Sequence, residues 1–124
     1  MTNPTRIAAE EYLDALAAHG IDYLFCNPGT DFAPIVEAYA RSARTNAIVP
    51  RPMVVPHENC AVGMAHGYTM VSGRPQAGML HTNVGTPNAT NILIDAPRAR
   101  IPLLLAPDRP PCTPERSAGP RAAR

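Results

Sequence analysis

Four short segments of polar residues follow apolar runs of the sequence. They are Asn27-Pro28-Gly29-Thr30, His57-Glu58, His81-Thr82-Asn83 and Gly85-Thr86-Pro87-Asn88. Carboxylate, imidazole, hydroxyl and amide groups gathered in one place are typical of sites that bind small polar ligands and transfer protons. If the apolar runs are parallel strands, the segments converge on the carboxyl edge of one sheet, where ligands bind in such folds.

The carboxylate of Glu58 stands at a distinctive position, between a short apolar run and a segment of small residues with helical spacing. A carboxylate at a helix N-terminus is stabilised by the helix dipole and can point into the crevice at the sheet edge. The alternative interpretation is that Glu58 only complements the helix N-terminus. Small residues in the helix predict close packing against the sheet or a partner helix, which both interpretations allow. These residues are Ala61, Gly63, Ala65 and Gly67.

The elements that must position these segments alternate along the chain in the order α-β-α-β-α-β-α-β. Four helices are predicted: from Asn3 (N-cap) and Pro4 to Gly20, over residues 32–44, from Glu58 to the Gly73-Arg74-Pro75 break, and over residues 88–98. Four strands are predicted over residues 21–26, 53–55, 77–80 and 101–106. This alternation predicts an α/β fold, a doubly wound parallel sheet with helices on both faces.

Composition and charge narrow the class of protein. A length of 124 residues, with 45% hydrophobic and 17% charged residues, is typical of one globular domain. A net charge of +1 with scattered Arg favours neither nucleic acid nor an anionic membrane as partner. No apolar run approaches the ~18 residues of a membrane span, so the expected location is cytoplasmic. Cys26, Cys60 and Cys112 have no CxxC spacing, and no metal ligands are predicted.

The sequence changes character after Ala106. Five prolines fall there among four Arg with little apolar material: Pro107, Pro110, Pro111, Pro114 and Pro120. Such a composition does not sustain a helix or a strand. We therefore expect a domain over residues 1–106 and a disordered tail over residues 107–124.

Residues 55–105 carry motifs that resemble a known family. The motifs are HE-xx-A-xx-MA-x-GY, the GRP after the helix, and H-x-x-x-GT-x-N-A-x-N, and the earlier Asn27-Pro28-Gly29-Thr30 is similar to an NPG-[S/T] turn. Together they resemble the N-terminal, pyrimidine-binding domain of thiamine-diphosphate-dependent enzymes of the acetolactate synthase and benzoylformate decarboxylase group. The likeness covers roughly residues 5–106.

The resemblance implies thiamine diphosphate as cofactor and a 2-oxo acid as substrate. In the family a carboxylate hydrogen-bonds N1' of the aminopyrimidine, which favours the 4'-imino group that removes the thiazolium C2 proton. The resemblance assigns this catalytic carboxylate to Glu58. It assigns to His81 a catalytic and substrate-binding role, and to Thr30 contact with the substrate carboxylate. The alternative for His81 is a strand-end histidine satisfied by backbone groups.

The remaining matched residues are expected to line the cofactor. They are Pro28, Gly29, Gly85, Thr86 and Asn88. For Asn88 a helix-cap role is a second interpretation, compatible with the first. A flavodoxin-like nucleotide-binding domain, with residues 85–88 cradling phosphate at a helix N-terminus, is an alternative for the whole chain, but it does not account for His57-Glu58.

The family's diphosphate and Mg²⁺ belong to another domain, and its GDG motif has no counterpart in this sequence. The resemblance therefore implies a diphosphate-binding domain as partner, on another chain or missing from this one, within a homo- or hetero-oligomer. Alone, the chain is expected to be inactive. A split subunit, a remnant of a longer enzyme and a non-catalytic interaction module are the open interpretations. The remnant is favoured because the last predicted strand runs directly into the Pro- and Arg-rich tail.

Overall fold

Strand β1 (Tyr23–Asn27) lies inside a four-stranded parallel sheet. The structure is a computed structural model and describes residues 5–107. The strand order is β2 (Arg51–Val54), β1, β3 (Gln76–Leu80) and β4 (Leu103–Pro107). Leu24, Phe25 and Cys26 are all buried, as expected for a strand covered on both faces.

Helices cover both faces of the sheet. They are α1 (Ala8–Ala18), α2 (Ala33–Thr45), α3 (Glu58–Ser72), α4 (Gly85–Asn88) and α5 (Thr90–Arg98), and a 3-10 helix (Thr30–Phe32) precedes α2. Leu24 belongs to a core with residues of α1 and α2, whereas Phe25 belongs to a core with Ala61 and Ala65 of α3. Adjacent strand residues point to opposite faces, so α1 and α2 lie on one face and α3 on the other. The predicted doubly wound α/β fold is confirmed.

Helix α1 begins later than the Asn3-Pro4 signal predicts. Residues 5–7 are not helical, and the first helical residue is Ala8. Glu10 sets this start, because its carboxylate accepts the N–H of Ile7 at 2.8 Å and its own N–H donates to the Ile7 carbonyl at 2.9 Å. The predicted start at Asn3 is therefore wrong, and residues 1–4 lie outside the described part of the chain.

Proline shapes two further boundaries. Strand β2 includes Pro52, which a central strand would exclude but an edge strand tolerates, so β2 starts before the predicted residue 53. Strand β4 pairs with β3 and ends at Pro107, which the sequence assigned to the tail. The rest of the predicted tail, residues 108–124, lies outside the described residues.

The small residues of α3 divide into two sets. Ala61 and Ala65 are fully buried, which agrees with the prediction of close packing. A Cβ added at Gly63 or Gly67 would meet no heavy atom within 4 Å, so these two positions face open space. Gly73 ends the helix at a φ of 69°, a left-handed conformation that favours glycine, as the predicted break requires.

Candidate functional site

The carboxyl ends of β1, β2 and β3 lie side by side. Cys26 pairs with Val54, and Asn27 pairs with Leu80, so the segments that follow these strands leave the sheet at one edge. The Val55 N–H donates to the Cys26 carbonyl at 2.8 Å, and the Asn27 side-chain amide donates to the Val55 carbonyl at 2.9 Å. These bonds fix the turn from β2 into α3 against the end of β1.

Glu58 is the first residue of α3 and is 5% exposed. The helix start is fixed by His57, whose Nδ1 accepts the N–H of Asn59 at 3.2 Å. One carboxylate oxygen, Oε2, accepts a hydrogen bond from the side-chain amide of Asn88 at 3.0 Å. This bond is the main cause that lowers the pKa of Glu58 below its ordinary value, against the opposing effect of burial. Glu58 is thus a buried carboxylate held in its ionised form.

Asn88 reaches Glu58 because a short helix, α4, separates β3 from α5. Asn88 is the last residue of α4, and the N-cap of α5 is Ala89. The predicted helix start at residue 88 and the helix-cap interpretation of Asn88 are therefore wrong. The side-chain amide of Asn88 does not cap α5 and donates to the Glu58 carboxylate instead.

Gly85 lies beside this carboxylate. A Cβ at position 85 would lie 3.4 Å from Cγ of Glu58 and 3.1 Å from Cβ of Leu80. A side chain there would press on Leu80 and would be in ordinary van der Waals contact with Glu58, so Leu80 sets the main steric limit at this position. Thr86, the next residue, is exposed, and its carbonyl accepts the Thr90 hydroxyl at 3.1 Å.

His81 follows β3 directly and faces the segment after β1. Its Nδ1 lies 2.6 Å from Oδ1 of Asp31, in the 3-10 helix. The partner of His81 is therefore a carboxylate rather than the backbone group of the alternative interpretation. Sequence reasoning missed Asp31, although it adjoins Thr30 and one more residue in that segment would have included it. Pro28 and Thr30 are exposed at the same edge.

The structure thus brings four of the sequence-predicted residues into two groups. One contains Glu58, Gly85 and Asn88, and the other contains His81 with Asp31. The His57 and His81 side chains each contribute to lowering the pKa of Glu58, so the two groups lie within electrostatic reach.

Residues 5–107 include no group of three or more His, Cys, Asp or Glu residues placed to hold a metal ion. None of the helices described there has both the length and the hydropathy needed to cross a membrane.

Residues 7–115 match the sequence model of the family described as thiamine pyrophosphate enzyme, N-terminal TPP binding domain. The chain belongs to this family. Thiamine pyrophosphate is the same compound as thiamine diphosphate. The match decides between the two families that the sequence analysis left open, in favour of the thiamine-dependent enzymes.

Relatives within this family include both synthases and decarboxylases. The candidate acetolactate synthase large subunit IlvX of Mycobacterium tuberculosis is 35% identical over 97 residues, which is 78% of this chain. Benzoylformate decarboxylase of Pseudomonas aeruginosa is 32% identical over 92 residues, or 74% of this chain. The chain spans 18% of the length of IlvX and 16% of that of the decarboxylase.

A solved structure shares the fold. The thiamine diphosphate-dependent 4-hydroxybenzoylformate decarboxylase of Rhodococcus jostii RHA1 superposes with a TM-score of 0.69 at 25% identity. The superposition covers 82% of this chain and 18% of that one. The chain therefore corresponds in fold and sequence to one domain of much longer enzymes.

Proposed function

We propose that the chain binds the aminopyrimidine half of thiamine diphosphate through Glu58, as the pyrimidine-binding part of an enzyme that processes a 2-oxo acid. The observation that carries the proposal is the buried, ionised carboxylate of Glu58 at the carboxyl edge of the sheet, oriented by Asn88. Family membership supports the choice of cofactor.

The residues present fit this cofactor. An ionised carboxylate has about four lone-pair sites, and the Asn88 amide occupies one of them on Oε2. A buried carboxylate is costly unless further donors reach it, and a protonated ring nitrogen is such a donor. Gly85 packs against Glu58 without a side chain that would cover it. These contacts favour a flat heterocycle with an N–H directed at Glu58.

Each residue at the edge then has a distinct task. When bound, thiamine diphosphate supplies the nucleophilic carbon for attack on the 2-oxo acid. Glu58 accepts the N1' proton in a charge-assisted hydrogen bond, which is roughly twice as strong as a neutral one. Asn88 holds the carboxylate in place. His81 and Thr30 serve the substrate, His81 by moving protons and Thr30 by contacting the substrate carboxylate.

The remaining edge residues line the cofactor. Pro28 and Gly29 border it from the β1 side, and Thr86 borders it from α4. The diphosphate and Mg²⁺ are held by a diphosphate-binding domain elsewhere, in another chain or in the remainder of a longer protein. The chain then acts within an oligomer and has no turnover by itself. Acetolactate synthase-like and decarboxylase-like reactions are both compatible with this chain.

Isothermal titration calorimetry tests the proposal. The titrants are the free aminopyrimidine moiety and complete thiamine diphosphate with Mg²⁺, and the proteins are the full chain, Glu58→Ala and Glu37→Gln. Glu37 is a matched control because it is exposed on α2, on the opposite face of the sheet. We expect Glu58→Ala to lose the affinity that the wild type and Glu37→Gln retain. Equal affinity of all three proteins would overturn the assignment of Glu58.

A further inference from the structure

We propose that Asp31 is a positioning residue that fixes the tautomer of His81, with the proton on Nδ1 and the lone pair on Nε2. The inference rests on the proposed function, because it concerns how His81 could move protons there. Asp31 has no direct contact with cofactor or substrate in this proposal, and it acts through His81 alone.

The geometry requires one direction for the hydrogen bond. Nδ1 of His81 lies 2.6 Å from Oδ1 of Asp31, a short distance that indicates a strong hydrogen bond to a charged acceptor. An ionised carboxylate can only accept, so the hydrogen belongs to Nδ1 of His81. In a neutral imidazole the other nitrogen, Nε2, then carries the lone pair and can take a proton. A carboxylate behind a histidine orients catalytic imidazoles in this way in other enzymes.

Burial makes the preference strong. The Asp31 side chain is 9% exposed, whereas that of His81 is 34% exposed. The second oxygen of Asp31, Oδ2, is buried and has no hydrogen-bond partner among the described residues. The Nδ1–H of His81 is therefore the described donor that compensates this buried carboxylate. The other tautomer of His81, with the hydrogen on Nε2, would leave both carboxylate oxygens of Asp31 without a donor, at a large desolvation cost.

Gly29 allows the pair to form. A Cβ at position 29 would lie 2.2 Å from Nδ1 of His81 and 2.7 Å from Oδ1 of Asp31. The backbone of the turn after β1 thus passes directly beside the shared hydrogen bond. The need for glycine is one of space, since φ at this position is −125°, which any residue adopts. Gly29, Asp31 and His81 come from two segments that are distant in the sequence, and all three determine the geometry of this hydrogen bond.

Nitrogen-15 NMR of the histidine rings tests the inference on the full chain without any cofactor. At about pH 8.5 imidazole is neutral, and ring nitrogen shifts separate a protonated from an unprotonated nitrogen. His81→Gln identifies which of the 4 histidines gives the signal. We expect a protonated Nδ1 and an unprotonated Nε2 in the wild type. Asp31→Asn should lose this pattern, because its amide can donate to Nδ1.

The control is Asp95→Asn, which removes the same charge from an exposed position on α5. It should keep the wild-type pattern. A wild-type His81 with the proton on Nε2 would overturn the inference even if Asp31→Asn failed to fold, and so would an unchanged pattern in a folded Asp31→Asn. Because no cofactor is present, these results are independent of whether Glu58 binds thiamine diphosphate.

Discussion

Polar side chains cluster at both ends of the sheet, and the two clusters use their hydrogen-bonding capacity differently. At the amino end, Oε1 of the fully buried Gln76 accepts the N–H groups of Asp22 at 3.2 Å and Tyr23 at 2.9 Å. The Gln76 amide donates to the Arg74 carbonyl at 3.2 Å. The Arg74 guanidinium in turn contacts the Asp22 carboxylate at 2.9 Å. Both halves of the Gln76 amide are thus engaged by protein groups.

At the carboxyl end of the sheet, two buried acceptor atoms have no hydrogen-bond partner among the described residues. They are Oδ2 of Asp31 and Oδ1 of Asn59. Glu58 shares one oxygen with Asn88 and retains further lone pairs. A satisfied polar network rigidifies a fold, whereas unsatisfied buried groups call for a ligand or another partner. In the proposed function, the polar groups of the amino end therefore serve stability and those of the carboxyl end serve binding.

The largest expected effect concerns activity and the carboxyl end. In a complex reconstituted with a diphosphate-binding domain, Glu58→Gln should lower turnover about 100-fold or more, because a preorganised charge is lost at the reacting ring. The unfolding midpoint should change little. Steady-state kinetics and thermal unfolding check the two statements, with Glu37→Gln as control. Full turnover by Glu58→Gln would contradict the proposal that the carboxyl end serves binding and the amino end serves stability.

Gln76→Leu tests the amino end in the opposite sense. We expect a loss of about 2–3 kcal/mol in the free energy of unfolding, because buried N–H and carbonyl groups lose their partner. Pyrimidine affinity of the folded fraction should stay unchanged. Asn88→Ala is the matched case at the other end, because Asn88 is exposed and should matter more for affinity than for stability. Denaturant unfolding and calorimetry measure both quantities. The reverse pattern would contradict the comparison.

Gly29→Ala should have a smaller effect, about 1–2 kcal/mol of stability, because the added methyl group collides with movable side-chain atoms. The same variant should change the ring nitrogen signals of His81. Gly63→Ala is the control, since its Cβ would meet nothing within 4 Å and alanine favours the helix by up to about 1 kcal/mol. NMR and thermal unfolding record both results. An undisturbed His81 in Gly29→Ala would argue against the close approach.

The smallest expected effect is a pH dependence. The pKa of Glu58 is lowered from 4.5, so its ionised form stabilises the fold above that pH, and this stabilisation is lost as pH falls through the folded-state pKa. The stability advantage of the wild type over Glu58→Gln should therefore shrink on acidification. Asn88→Ala should weaken this pH dependence, because the Asn88 hydrogen bond is its main cause. Urea unfolding at neutral and acidic pH measures it, and a growing advantage would reverse the sign.

The fold could be predicted because glycine and proline separate short apolar runs clearly in this sequence. Gly73 ends α3 where predicted, and the buried residues of β1 form the expected apolar run. The predicted ends of helices and strands were wrong where a distant or reciprocal contact determines them. Asn3 and Pro4 form a good helix start locally, yet the Glu10 carboxylate fixes the start beside Ile7.

The site was only partly predictable, for a similar reason. The rule that parallel strands present their carboxyl ends at one edge correctly grouped Glu58, His81 and Asn88 at that edge. The rule does not say which of these side chains form hydrogen bonds with one another or with other residues. The bond between His81 and Asp31 joins residues 50 positions apart, and the Asn88 contact depends on the four-residue α4. The roles of these residues in binding and catalysis stay predictions.

The central position of β1 also determines when the site can come into existence during folding. Its neighbour β3 pairs Leu24 with Ala77, so a loop of about 50 residues must close before these two strands meet. Such non-local parallel pairing is slow to form compared with helices and hairpins. A nascent chain that has emerged only through α3 can hold Glu58 but neither Asn88 nor His81. If the proposed function holds, ligand binding is therefore acquired in a late step, together with the closure of the sheet.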